Sequence, residues 1–126
     1  MMPPFMRLFA LRGATSIERD EAPLILAGTT ALLREILERN ALAPDDVVSC
    51  IFTCTHDLTA EYPAVAARAM GFNRVPLLCA QELAVPGSMA RVVRLLMHFY
   101  APEDHDVQHV YQGEARRLRL DIAGAQ

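Results

Sequence analysis

Glu82 is a lone carboxylate between apolar neighbours, and two arginines follow it at positions 91 and 94. The apolar run Val75-Pro-Leu-Leu precedes this stretch and a second, residues 92–100, follows it. Isolated charges in apolar segments pair with each other or face a polar target. Arg91 and Arg94 are three apart, so on a strand they point to opposite faces, one to solvent and one into a cleft. Taken alone, the stretch reads as a salt bridge between Glu82 and one of these arginines. Further cations and hydrogen-bonding groups stand at the edges of apparent elements: Arg12, Arg68, Arg94, Tyr111 and Arg119. Several arginines, one acid, one tyrosine and no nucleophile would suit a dianionic substrate that reacts without covalent or proton-transfer help. Spacing cannot assemble them, and plain surface charge is the commoner explanation of such a set.

Other constellations read as structure. Cys50 and Cys54 share a strand face, but no third and fourth ligand lies at zinc-site spacing. His105 and His109 are four apart across a loop-to-strand boundary, which disfavours a helical ligand pair. His56-Asp57 resembles part of a triad, yet no serine or cysteine stands in a nucleophile elbow, so a loop turn is expected. Gly87-Ser88 is too little for a phosphate loop. No metal site and no cofactor are therefore expected.

The 126 residues suffice for one domain with a real core. A formal charge of −3 offers no basic field for nucleic acid or an anionic membrane. No apolar run reaches the roughly 18 residues of a membrane span, and the first seven residues lack the pattern of a secretion signal. Three cysteines in apolar surroundings suggest reduced thiols and a cytoplasmic protein. Every cation is Arg, so each needs positional support before it is read as an anion-binding fork.

The elements that must position these groups follow from patterning. Residues 5–12 read as a strand, with Gly13 permitting a sharp exit and a polar loop over 15–20. Asp20 is expected to cap a helix over 24–40, with Pro23 in its first turn. Glu35 and Arg39 form an i,i+4 pair on it. A turn at 43–46 leads to a buried strand over 47–53. Tyr62-Pro63 opens a short helix that Gly71 ends. Strands are expected over 74–78 and 89–100, and a last one from 108 that ends as a charged tail. The result is an α+β domain.

Arg12-Gly-Ala-Thr-Ser-Ile-Glu-Arg-Asp20, Thr55-His-Asp-Leu, Tyr62-Pro-Ala-Val-Ala-Ala-Arg68, Val75-Pro-Leu-Leu-Cys79-Ala-Gln-Glu82, Arg91-Val-Val-Arg94, His109-Val-Tyr111 and Leu118-Arg-Leu-Asp121 together resemble the trimeric, monofunctional chorismate mutases of the Bacillus type. The likeness runs from about Phe9 to Asp121. It implies isomerisation of chorismate to prephenate by a cofactor-free [3,3] Claisen rearrangement, a step of aromatic amino-acid biosynthesis. It also implies a mixed sheet with helices packed on one face. Three copies would form a pseudo-α/β-barrel with clefts between subunits. By the same resemblance Arg94 meets the breaking ether oxygen, Arg12 and Tyr111 hold a substrate carboxylate, and Glu82 accepts from the ring hydroxyl beside Cys79. Tyr62 would be an aromatic wall and Arg68 a cation at the cleft mouth. Leu118 and Arg119 would close over the site, and residues 121–126 would form a mobile tail. The chain departs from the family pattern at Val65, His56, Leu78 and Pro86-Gly-Ser, none of which holds one of these roles. A non-catalytic dicarboxylate binder and an imine or enamine hydrolase on the same trimer remain as alternatives.

Overall fold

The computed structural model describes residues 5–118. Five strands form one mixed sheet in the order β3-β2-β4-β1-β5. They are β1 (Met6–Ser16), β2 (Val47–Cys54), β3 (Leu77–Gln81), β4 (Val92–Pro102) and β5 (Val110–Gln112). The long central strands β1 and β4 run antiparallel, as do β2 and β4, while β3 and β5 add parallel at the edges. The described residues also form the helices α1 (Ala22–Arg39) and α2 (Ala64–Ala69), with short 3-10 turns at Pro44–Asp46 and Gly113–Ala115.

Strand alternation sorts the sheet into two faces. On one, Leu11 and Phe9 of β1 stand opposite Met97 and Phe99 of β4, which continue into Cys50 and Phe52 of β2 and Cys79 of β3. α1 lays Ile25, Leu32, Leu33 and Ile36 on this face, and all four are fully buried. Burying side chains of this size contributes roughly 1.5–3 kcal/mol each, far more than the exposed Arg39–Glu35 pair at 2.9 Å on the outside of α1. Neither α1 nor α2 packs on the other face; at one end of it the segment 113–118 covers Ala14 and Val92. That face shows Leu8, Leu78, Leu96 and Tyr100 to solvent, between 37% and 60% exposed.

Several boundaries differ from the expectation, each for a physical reason. β1 does not leave the sheet at Gly13 but runs on to Ser16, so the loop expected over 15–20 begins only at Ile17. Gly13 pairs with Leu95 and Val110 in mid-strand, and a Cβ there would meet Ile36 Cδ1 at 2.8 Å. The glycine lets α1 approach the strand; it does not turn the chain. α1 starts two residues before the expected 24, with Glu21 at its N-cap position and no side-chain capping bond. Asp20 is engaged elsewhere, accepting from the Thr59 and Ala60 N–H groups and the Thr59 hydroxyl. The Thr59 N–H foremost holds its carboxyl below the usual range.

β3 begins at Leu77 rather than 74. Pro76 has no N–H to donate, though its carbonyl accepts from Cys50. The last strand is shorter than expected and becomes a 3-10 turn, with helical backbone at 116–118. α2 and its end at Gly71 (φ +102°) match the expectation within a residue or two. The ambiguous stretch near 89–100 is strand, central to the sheet.

Candidate active site

Cross-strand register assembles the site on the face opposite α1. Tyr111 of β5, Ala14 of β1, Arg94 of β4, Thr53 of β2 and Ala80 of β3 are successive partners, one line across all five strands. Arg12 lies two residues along β1 from Ala14, so it points to the same face. Arg12, Thr53, Arg94 and Tyr111 line a concavity of ≈ 300 Å³ together with Ala14, Ile51 and Leu96. Positions scattered from 12 to 111 in the chain thus converge because strand pairing, not chain proximity, makes them neighbours.

Glu82 lies just past β3, and its N–H donates to Cys54 O at 2.9 Å, continuing the ladder. Its carboxylate returns to the open face. Arg94 Nε sits 3.1 Å from Glu82 Oε2, with side chains 39% and 18% exposed. The ion pair expected from the sequence is therefore present, and it selects Arg94. The contact is an ion pair without hydrogen-bond alignment: the buried Nε has no aligned acceptor among the described residues. The same Glu82 Oε2 accepts from the Thr53 hydroxyl at 2.6 Å.

Arg91 is not on the strand. It precedes β4 with φ +50° and is clamped there. Its N–H donates to the Asp57 carboxylate at 3.0 and 3.1 Å, and its Nε donates to Ile17 O at 3.0 Å. Asp57 also accepts from the Thr55 hydroxyl. Burial pushes the Asp57 carboxyl up, but these donors outweigh it and hold it below the usual range. His56-Asp57 is thus a structural loop turn, as the sequence suggested.

Two residues that sequence reasoning did not assign to the site support it. Thr53 holds Glu82, and an isolated threonine in a strand carries no signal of that. The second is His109, weighed beforehand with His105 as a ligand pair and as part of a motif, but not for this contact. Its Nδ1 accepts the main-chain N–H of Arg12 at 2.9 Å. β5 starts only at Val110, so the ring supplies an acceptor where a strand carbonyl would otherwise stand. An accepting Nδ1 places the neutral ring's proton on Nε2.

The remaining expected residues lie elsewhere. Cys79 faces the helix side, opposite Phe52, packed against the core. With Tyr62 it lines a second concavity of ≈ 300 Å³, formed also by Cys54, Thr55, Thr59, Ala60, Glu61 and Gln81. The two concavities share no lining residue. Arg68 is exposed on α2. Leu118 packs on a small cluster of Ala14, Val92 and Ala115, alongside Tyr111 and Met89. Arg119 and the tail at 121–126 lie outside the described residues. Burial pushes the Cys50 thiol up to about 12, and burial with Cys79 and Glu82 nearby pushes Cys54 up to about 11. Both stay protonated at neutral pH and offer no thiolate nucleophile. Among the described residues no group of three His, Cys, Asp or Glu could hold a metal ion, and no helix is long and apolar enough to cross a membrane.

The fold is a mixed sheet with α1 and α2 on one face and Arg12 and Arg94 lining a concavity on the other. The chain belongs to the chorismate mutase type I family, whose model matches residues 8–122. It is 45% identical over 118 residues to the chorismate mutase AroH of Thermus thermophilus, covering 92% of this chain and 97% of that protein. It is 38% identical over 121 residues to the chorismate mutase AroH of Bacillus subtilis, covering 94% of each. Among solved structures, a chorismate mutase from Clostridium thermocellum superposes with a TM-score of 0.82 at 43% identity. That match covers 86% of this chain and 98% of the other. The resemblance read from the motifs is therefore correct at the level of family and fold.

Proposed function

We infer that this protein is a chorismate mutase, an isomerase converting chorismate to prephenate by a [3,3] rearrangement. The observation that carries the reading is the pair of arginines on the open face, Arg94 beside Glu82 and Arg12 with Tyr111 on the same concavity, in a chain of this family. A pericyclic step needs no acid, base or nucleophile. It needs a compact substrate conformer and donors where charge develops as the C–O bond stretches. Arg94 is the proposed donor to the ether oxygen. Arg12 and Tyr111 hold a carboxylate, and Glu82 accepts from the ring hydroxyl. Charge-assisted hydrogen bonds contribute roughly 1.5–3 kcal/mol each. Two or three of them with orientation approach the ~8 kcal/mol that a 10⁶-fold acceleration requires.

We further propose a homotrimer with sites between subunits, each chain being one domain over residues 1–126 in the cytoplasm. The open face supports the assembly, because its exposed Leu8, Leu78, Leu96 and Tyr100 need a cover. The separation of the two concavities supports shared sites. Tyr62, Cys79 and Arg68 of one copy would complete the Arg12–Arg94–Tyr111 concavity of the next, with Leu118 and Arg119 closing over it. Three free cysteines among the described residues agree with a reducing compartment.

Incubating pure protein with chorismate and identifying the product tests the activity. Prephenate formation that survives chelator treatment is expected; a requirement for added metal or nucleotide would refute the reading. Light scattering should report three copies per particle, and Leu96→Asp should dissociate them and abolish turnover together. A fully active monomer would sink the shared-site proposal.

A further inference from the structure

Thr53 and Arg94 converge on the same oxygen of Glu82, at 2.6 and 3.1 Å from Oε2. Oε1 accepts no hydrogen bond among the described residues. A carboxylate on a strand end rotates freely about its last torsion unless something holds it. Arg94 alone does not hold it, because its Nε–H is not aligned on the oxygen. The Thr53 hydroxyl is the short, directional contact. It comes from β2, directly opposite Arg94 in the sheet register, so its position is set by the backbone ladder rather than by a mobile side chain.

We propose that Thr53 is a positioning residue of the active site. It pins Glu82 through Oε2, which keeps that oxygen facing Arg94 and reserves Oε1 for a hydroxyl donor on the substrate. The inference rests on the reading of Glu82 and Arg94 given above and adds a residue to it. A hydroxyl rather than a cation suits the task. A second arginine would compete with Arg94 for the carboxylate, and an apolar residue would leave the torsion unheld. Thr53 also lines the concavity itself. Because its proton is committed to Glu82, its oxygen presents only lone pairs to a bound molecule. The site thereby discriminates against a ligand that places an acceptor at this wall.

A double-mutant cycle tests the proposal. Thr53→Val keeps shape and β-branching but removes the hydroxyl. It is expected to lower kcat/KM about 10- to 100-fold, the range of one charge-assisted hydrogen bond, with an unchanged melting temperature. Thr53→Ser should restore most of the loss. In a Glu82→Ala background Thr53→Val should change turnover less than about twofold, because there is no carboxylate left to position. A purely structural role predicts the same loss in both backgrounds, which would overturn the proposal, as would a Thr53→Val protein equal to wild type. The crystal structure of Thr53→Val carries the test without turnover. A Glu82 carboxylate rotated away from Arg94 supports the proposal; an unmoved one overturns it. Wild-type protein that leaves chorismate unchanged refutes the activity instead, and the rotamer in that crystal still decides the role of Thr53.

Discussion

The two faces of the sheet are built from the same strands and do opposite things. Beneath α1, Phe9, Leu11, Phe52, Leu95, Met97 and Phe99 form a closed apolar core. One residue along each strand, Arg12, Thr53 and Arg94 stand on the other face with an acid beside them. The comparison teaches how this fold separates stability from chemistry. The covered face holds the backbone, and the rigid ladder fixes where each side chain of the open face must stand. A charge placed on the covered face would be buried without a partner. A phenylalanine in place of Arg94 on the open face would leave Glu82 without its cation.

The separation breaks most visibly at Arg94. Replacing it with citrulline, a neutral shape mimic, should lower kcat by about 10³-fold or more, as loss of a transition-state donor does. Urea denaturation should find the fold unimpaired. Near-normal kcat in that variant would remove the electrostatic role assigned to Arg94. The converse test is Phe52, whose neighbour in the chain is Thr53. Phe52→Ala should cost about 3–5 kcal/mol of stability, read from the urea midpoint. KM per folded molecule should stay within a few-fold of wild type. A large KM change at low temperature would mean that the two faces are not independent.

Arg91 sharpens the comparison within one motif, three residues from Arg94. Its guanidinium ties to Ile17 O and not to the concavity. Arg91→Ala should therefore cost about 1 kcal/mol of stability and leave kcat within twofold. A loss of kcat on the scale of Arg94 would contradict the placement. The smallest expected effect is at acid pH. Donors from Thr55 and Arg91 hold the Asp57 carboxyl below its ordinary 3.8. The folded state then binds this proton less readily than the unfolded chain. Its contribution is fully present above the unfolded value and fades as pH falls from about 4 through the lower folded value. Asp57→Asn should therefore cost stability at pH 7, and the gap to wild type should close as pH falls through that window. An equal loss at every pH would assign Asp57 a role independent of its charge.

Much was legible because local chemistry decided it. The helix expected over 24–40 is α1, with Ile25, Leu32, Leu33 and Ile36 on its buried side, and the Glu35–Arg39 pair follows from helical spacing. Gly71 ends α2 because the chain needs a positive φ there. The motif set, from Arg12-Gly-Ala-Thr to His109-Val-Tyr111, identified the family through an ordered series of residues, which needs no coordinates. The Glu82 pairing was legible as a type of contact, though either arginine would have met it.

Tertiary structure alone decided which arginine that was, and for one reason: contacts between distant strands depend on register, and register is set by global packing. Gly13 looked like a turn because a glycine in sequence does not show the helix pressing on it; Ile36 does. Asp20 looked like a cap because its position fits one, yet the loop at Thr59 competes for the same oxygens and wins with three donors. Arg91 and Arg94 looked like alternating strand residues until the left-handed backbone at Arg91 removed it from the strand. Thr53 and His109 carry nothing unusual in sequence. One acquires a role from standing opposite Arg94 across a ladder, the other from a missing strand carbonyl beside Arg12. The sequence by itself determined the elements, the family and the types of group at the site. Only the folded sheet decided which of those groups meet, because the free energy that brings them together lies in the core on the opposite face.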